Sequence, residues 1–258
     1  MIHLRSADDI DAIARGGAII AGLLEVAGRA VAPGISTSDL DRLCDEYIRS
    51  HDGAVPAFKG LYGFPGSVCT SLNEEVVHGI PRDERVLRDG DIVSIDVGVR
   101  LDGWCSDSAW TYAVGEVDDE VRELLRVTEA ALERAIEASV VGHHVGDIGA
   151  AVVEAVEGSG FGIIRDLVGH GVGRDVHEDP QVPNVGRKGY GPLLRAGMVL
   201  AIEPMLSAGA AAVRTLEDRW TVVTSDGARA AHFEHTVAVT HDGPRVLTVA
   251  GDPAEAAA

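Results

Sequence analysis

Along the first fifty positions, apolar residues recur at helical spacing. Ser6-Ala7-Asp8-Asp9 supplies a capping hydroxyl and two first-turn acids, and Ile10, Ile13, Ile20 and Leu24 continue the stripe, which predicts a helix from Ser6. Leu40, Leu43, Cys44, Tyr47 and Ile48 repeat the i, i+3, i+4, i+7, i+8 spacing after Ser36 to Ser38. They predict a second helix closing near Gly53, with Cys44 as a small core residue. From Asp91 the period drops to two. Ile92-Val93-Ser94-Ile95-Asp96-Val97 reads as a strand, Asp102-Gly103 as a turn, and Asp107 to Val114 as the returning strand, with Asp107 opening it. Helical spacing resumes over Asp118 to Ser139, where Val121, Leu124, Leu125, Leu132 and Ile136 share a face, and again from Gly146 to Val156, stopped by Gly158. Beyond His170 strands and turns dominate, with an irregular stretch at Pro180, Pro183 and Pro192. Ala254 to Ala258 reads as a frayed tail.

No linker interrupts this pattern, so residues 1–258 are read as one α/β domain. The chain does echo itself. Leu87-Arg88-Asp89-Gly90-Asp91-Ile92-Val93-Ser94-Ile95-Asp96 aligns without gaps on Leu194-Arg195-Ala196-Gly197-Met198-Val199-Leu200-Ala201-Ile202-Glu203. Each copy runs Leu-Arg-x-Gly, then an apolar strand, then an acid. A glycine turn before a strand is common enough to match by chance. An acid at the same place in both copies favours duplicated halves facing one centre.

Composition narrows the classes. A chain that is 46% hydrophobic buries a substantial core. The net charge of −19, from 41 acids against 22 bases and without a Lys/Arg run, argues against nucleic-acid binding. Three cysteines, Cys44, Cys69 and Cys105, make no disulfide framework and fit a reducing, cytoplasmic setting. The apolar stretch from Ala18 to Ala32 is broken by Glu25 and Arg29, so neither a targeting segment nor a membrane span is expected.

Acidity on the surface does not explain acids inside apolar strands, where a charge is costly unless paired or metal-bound. Asp96 sits between Ile95 and Val97, Asp107 lies across a short hairpin, Glu203 follows Val199-Leu200-Ala201-Ile202, and Glu234 precedes His235-Thr236-Val237. Singly, each reads more readily as a strand-end acid facing solvent than as a ligand; four in such settings are harder to dismiss. His170 is flanked by glycines in Gly169-His170-Gly171-Val172-Gly173, which leave its ring unobstructed. As a set, four carboxylates and one imidazole balance two divalent cations, held roughly 3.5–4 Å apart by shared acids. Oxygen-rich ligands with one histidine point to Mn, Fe, Co or Zn. Two such ions acidify a shared water into a nucleophile. The competing reading, a structural Mg or Ca site, has no use for the imidazole.

These residues lie in a run of motifs that resembles type I methionine aminopeptidase in its short bacterial form, within peptidase family M24. The carriers are Ser71-Leu72-Asn73-Glu74-Glu75-Val76-Val77-His78-Gly79-Ile80-Pro81, Asp96-Val97-Gly98, Asp107, Gly169-His170-Gly171-Val172-Gly173, His177-Glu178, Ile202-Glu203-Pro204-Met205 and Glu234-His235-Thr236. The resemblance covers nearly the whole chain. It implies the pita-bread fold, two pseudo-symmetric halves around a dinuclear metal site. It implies removal of the N-terminal methionine from nascent polypeptides with a free amine and a small, uncharged second residue. Asp96 and Asp107 would hold one metal, His170 and Glu203 the other, with Asp107 and Glu234 bridging. Glu203 would move protons, His78 would contact the substrate near its amine and scissile amide, and His177 would hydrogen-bond the scissile carbonyl. The resemblance further implies a monomer and a monovalent cation near Asn73.

The same resemblance puts Phe58, Leu61, Phe64, Cys69, Val176 and Trp220 in an apolar pocket for the methionine side chain; their alternative is ordinary core. The family favours a Cys, a Tyr and a further aromatic where this chain has Phe58, Leu61 and Val176, and Lys59 and Tyr62 also depart. Val176 enlarges the pocket while Phe58 fills it from another side. Cys69 reads as a pocket wall, since no base stands beside it to activate a thiol. An X-Pro peptidase of the same fold would need an N-terminal domain for which the residues ahead of Asp91 leave no room. A non-catalytic binding module would have lost ligands that this chain keeps.

Overall fold

The computed structural model describes residues 1–249; the tail expected at Ala254 to Ala258 lies outside the described residues. Four helices carry the outer surfaces: α1 (Ala7–Ala30), α2 (Thr37–Arg49), α3 (Asp119–Ala138) and α4 (Val145–Val156). Ser6 and Ser36 cap α1 and α2 through reciprocal boxes with Asp9 and Asp39, and the Asp118 side chain accepts from Val121 N at the start of α3. Helix α2 stops at Arg49 with Ser50 as its cap, ahead of the Gly53 expected to end it.

The first half is built on the hairpin Ile92–Leu101 and Trp104–Ala113, flanked by Cys69–Leu72. Its period of two sorts side chains by face. Val93, Ile95, Val97 and Val99 are buried against Ile19, Ile20, Leu23 and Leu24 of α1 and Leu40, Cys44 and Ile48 of α2. Each such aliphatic side chain contributes about 1.5–3 kcal/mol on burial. Ser94, Asp96 and Gly98 therefore face the other way, toward the second half. That half is a five-stranded sheet in the order Gly243–Val246, His235–Thr240, Val199–Ile202, Val168–Gly171, Glu178–Pro183. Its outer face buries Leu200, Ile202, Val237 and Val239 against Val121, Leu124, Leu132, Ile148 and Val152 of α3 and α4.

The return strand differs from expectation. It begins at Trp104, so Asp107 lies within it rather than at its start. Asp102 and Gly103, both at positive φ (52° and 78°), make a two-residue turn. The buried Cys105, Ser106 and Ser108 around Asp107 are small or polar, which hides the strand signal there. The register pairs Asp96 with Ala109 and Gly98 with Asp107. The two carboxylates are thus diagonal neighbours on one face.

The ten-residue echo is a structural repeat. Gly34 N donates to Leu87 O (2.9 Å) and Leu87 N to Ile35 O (2.8 Å); Gly142 N donates to Leu194 O (3.1 Å) and Leu194 N to His143 O (2.7 Å). Gly90 and Gly197, at φ 87° and 93°, donate to Val114 O and Val239 O, both at 2.9 Å. The halves are sewn together where Trp104–Ala113 meets His235–Thr240. Thr236 Oγ1 donates to Asp107 O (2.7 Å) and accepts from Asp107 N (3.0 Å), while Thr111 Oγ1 donates to His232 O (2.7 Å) and accepts from His232 N (2.9 Å). Glu234 N donates to Ala109 O (2.9 Å) between the two clamps. Helices outside and paired sheets inside form the pita-bread arrangement implied by the sequence, with the seam at its centre.

Candidate metal centre

All five expected ligands open on one cavity of about 250 Å³ at that seam: Asp96, Asp107, His170, Glu203 and Glu234. Ligand atoms of Asp107, His170 and Glu234 lie within 4.8 Å of one another. His170 Nε2 is 3.6 Å from Glu203 Oε1 and 3.8 Å from Asp107 Oδ2. Each half supplies its share. Asp96 and Asp107 come from the hairpin, Glu203 and Glu234 from the facing ends of Val199–Ile202 and His235–Thr240, and His170 from Val168–Gly171. A Cβ on Gly169 would strike the Ala201 carbonyl, so glycine is required for these two strands to lie close enough to bring His170 beside Glu203.

Electrostatics mark the quartet as a site for cations. Burial raises Asp96 to about 7. Burial raises Asp107, Glu203 and Glu234 well above the usual carboxylate range, and the neighbouring carboxylates push each further. Among the described residues no lysine or arginine pairs with any of the four. Asp96 Oδ1, Asp107 Oδ1 and Glu234 Oε1 are buried without a hydrogen-bond partner. Unpaired oxygens of this kind, at such a charge density, fit metal ligands. Burial pushes His170 down to about 4, so the ring is neutral; Nδ1 donates to Gly171 O (2.9 Å), leaving the Nε2 lone pair facing the carboxylates.

Two further histidines flank the quartet. His177 lies 4.4 Å from His170, ring to ring, and burial lowers its pKa. His78 sits at φ 60°, an uncommon conformation for a side-chain-bearing residue, and burial followed by the nearby His177 pushes it down to about 4. The opposite wall is apolar. Phe58, Leu61, Phe64, Cys69 and Trp220 line it, and Trp220 meets Phe64 edge-on at 5.2 Å. Val176 is 2% exposed and packs in the cluster with Phe58, Phe64 and Cys69 rather than among the lining residues. Cys69 is paired in register with Asp96, and its thiol is raised well above 9.0 by burial and then by the charge of Asp96, which excludes a thiolate nucleophile.

Some residues at the cavity went unpredicted. Val77, Leu167 and Val168 line it without any signal to separate them from core. Tyr62, noted only as a departure, is 77% exposed and stacks over His177 at 6.1 Å. His232, also unflagged, lies behind the quartet. Asn73 spends its side chain on the protein: Nδ2 donates to Asp91 Oδ1 (2.9 Å) and Oδ1 accepts from Ile92 N (3.1 Å).

Known proteins resemble this chain in sequence and fold. The profile of metallopeptidase family M24 matches residues 11–241. The methionine aminopeptidase of Clostridium perfringens is 50% identical over 249 residues, covering 96% of this chain and 99% of that one. The crystal structure of methionine aminopeptidase from Thermotoga maritima superposes with a TM-score of 0.94 at 46% identity, covering 96% of this chain and 100% of that one. Prolidase from Pyrococcus furiosus superposes at a TM-score of 0.77 with 22% identity, and this chain spans 66% of it, a likeness of fold alone.

Proposed function

The chain belongs to metallopeptidase family M24, and from that premise we propose that it removes the N-terminal methionine from polypeptides whose second residue is small and uncharged. The observation that carries this reading is the convergence of five side chains able to ligate metal, drawn from both halves, on a cavity whose far wall is Phe58, Leu61, Phe64 and Trp220. Asp96, Asp107, His170, Glu203 and Glu234 would hold two divalent ions. Bound there, such ions polarise the scissile carbonyl and make water acidic enough to attack near neutral pH.

The chain's own residues supply the rest. Glu203 takes the proton from the attacking water and returns one to the leaving nitrogen. His78 and His177 are neutral at pH 7, since burial lowers both, so they donate hydrogen bonds without adding charge beside the cations. His177 steadies the carbonyl oxygen as charge develops, and His78 contacts the substrate near its amine and scissile amide. Phe58, Leu61, Phe64, Cys69 and Trp220 enclose the methionine side chain, and Val176 supports them from behind. A substituent packed beside the quartet must be small, which favours Ala, Gly, Ser or Thr as the second residue. A formylated amine loses both the charge and the donors that anchor it.

In this reading residues 1–258 act as one catalytic domain, a cytoplasmic monomer that does not bind nucleic acid, loaded with Co, Mn, Fe or Zn. A monovalent cation near Asn73 would depend on main-chain carbonyls, since the side chain is committed. Among the described residues no helix is long and apolar enough to cross a membrane. The test is to incubate the protein, with Mn or Co, with Met-Ala-Ser and with Ala-Pro-Ala, and to measure free amino acids. Methionine released only from the first supports the reading. Cleavage of Ala-Pro selects an X-Pro peptidase, and no cleavage with any metal defeats both.

A further inference from the structure

His232 lies directly behind the carboxylate quartet, and no step above uses it. Its side chain is 2% exposed, and neither Nδ1 nor Nε2 has a hydrogen-bond partner. A buried polar ring without partners works against folding, so its presence calls for a reason outside the fold. Its main chain is fixed, with N–H and carbonyl both closed by Thr111 Oγ1. The ring is thereby held where Nε2 lies 3.7 Å from Glu203 Oε2 and 3.9 Å from Glu234 Oε2.

The repeat gives this position meaning. The Thr111–His232 clamp in one half matches the Thr236–Asp107 clamp in the other. His232 therefore holds, in its half, the place that Asp107 holds in the first. Asp107 lines the cavity; His232 is not among the lining residues and sits one layer back. Glu203 is suspended between two imidazoles, with Oε1 toward His170 Nε2 at 3.6 Å and Oε2 toward His232 Nε2 at 3.7 Å.

We propose that His232 is a positioning residue for the metal centre: Nε2–H, 3.7 Å from Glu203 Oε2 and just outside hydrogen-bond reach in this structure, closes on that oxygen in the metal-loaded protein and so fixes the orientation in which Glu203 meets metal and carries its proton. A neutral imidazole whose other nitrogen bears no proton can make this bond without placing a charge beside the cations. Second-layer partners of this kind orient ligand carboxylates, and their loss weakens metal binding by about 10–100-fold. The proposal rests on Glu203 being a metal ligand.

The test uses the full chain with His232→Leu and His232→Gln. Leucine fills the space without a donor, while the glutamine amide can donate from a similar place. Metal-free melting temperature, calorimetric titration with Co(II) and the visible spectrum of the cobalt form are measured for each. The expected result for His232→Leu is a metal-free melting temperature at or above wild type, with cobalt affinity about 10–100-fold weaker and an altered spectrum. His232→Gln restores affinity and spectrum. An unchanged cobalt affinity in the leucine variant overturns the proposal. So does a loss accompanied by a lower metal-free melting temperature, or one that glutamine fails to restore. Wild-type protein that takes up no cobalt overturns the metal-site reading and this proposal with it; wild-type uptake with an unaffected leucine variant overturns this proposal alone.

Discussion

Stripped of metal with a chelator, the protein should lose thermal stability as the pH rises from 7.5 to 8.5. The cause is the carboxylate quartet. Burial holds Asp96 near 7 against an unfolded value of 3.8, and Asp107, Glu203 and Glu234 are raised well above theirs. A folded-state pKa above the unfolded one adds stability that is complete below the unfolded value and fades as pH climbs through the folded value. Across this window the unfolded carboxylates hold no protons, while the folded quartet still holds some. Each proton held gives a slope of about −1.4 kcal/mol per pH unit. One proton held throughout amounts to about 1.4 kcal/mol, or roughly 3–6 °C for a chain of this length.

The window is chosen so that other groups add little. His78, His170 and His235 are lowered to about 4, His232 to about 3, and His177 is lowered as well, all by burial first. These histidines raise stability as pH climbs through the unfolded value of 6.5, and a unit above it the unfolded rings are about nine-tenths deprotonated, so the rise has faded where the window begins. Cys44 and Cys105, raised by burial to about 12 and about 11, add a downward slope only toward their unfolded value of 9.0. Scanning calorimetry at half-unit pH steps in chelator reads the slope directly. The metal-loaded protein should lack it, because ions replace the protons, and metal titration in buffers of different ionisation heat should show proton release. A metal-free melting temperature that stays flat or rises between pH 7.5 and 8.5 would refute the reasoning, since the quartet would then be ionised without metal.

Thr236→Val deletes both hydrogen bonds to the Asp107 main chain in a fully buried seam. It should cost about 2–4 kcal/mol and weaken metal binding, as read by denaturant melts and metal titration; a loss under about 0.5 kcal/mol contradicts the clamp. Gly169→Ala puts a Cβ against the Ala201 carbonyl and within 3.3 Å of Glu203 Cγ. The variant should keep its far-ultraviolet dichroism yet bind metal poorly, and normal affinity would show that the strands can part without moving the ligands. All three cysteines are buried, so native protein at pH 7.5 should resist iodoacetamide until it is unfolded. Fast native labelling of Cys69, followed by mass spectrometry, would mean that the pocket wall is open to reagent.

What could be read from the sequence was whatever repeats locally. The helices announce themselves by spacing and caps, and Val93, Ile95, Val97 and Val99 already assign Asp96 to the opposite face. The acid shared by the two echoing segments, Asp96 and Glu203, points to a site between halves, and both side chains line one cavity at the seam. The seam was not legible. Thr111 and Thr236 look like ordinary strand threonines, and their partners lie more than a hundred residues away. Tyr62 and Val176 likewise take their places from tertiary packing, one over His177 and the other behind the wall.

The repeat also explains why the centre is lopsided. Two equivalent halves sharing a seam would each put the same side chain at the clamped position, and a perfect duplicate would set a second aspartate opposite the first. Asp107 and His232 break that equivalence. A fifth carboxylate at position 232 would crowd a quartet whose members already raise one another's pKa values by repulsion. It would exceed the charge that two divalent ions neutralise. A neutral ring there keeps the number of buried negative charges at four and still has a donor to offer. The asymmetry is therefore what electroneutrality asks of a duplicated fold that, in the proposed reading, would hold two divalent ions at its centre.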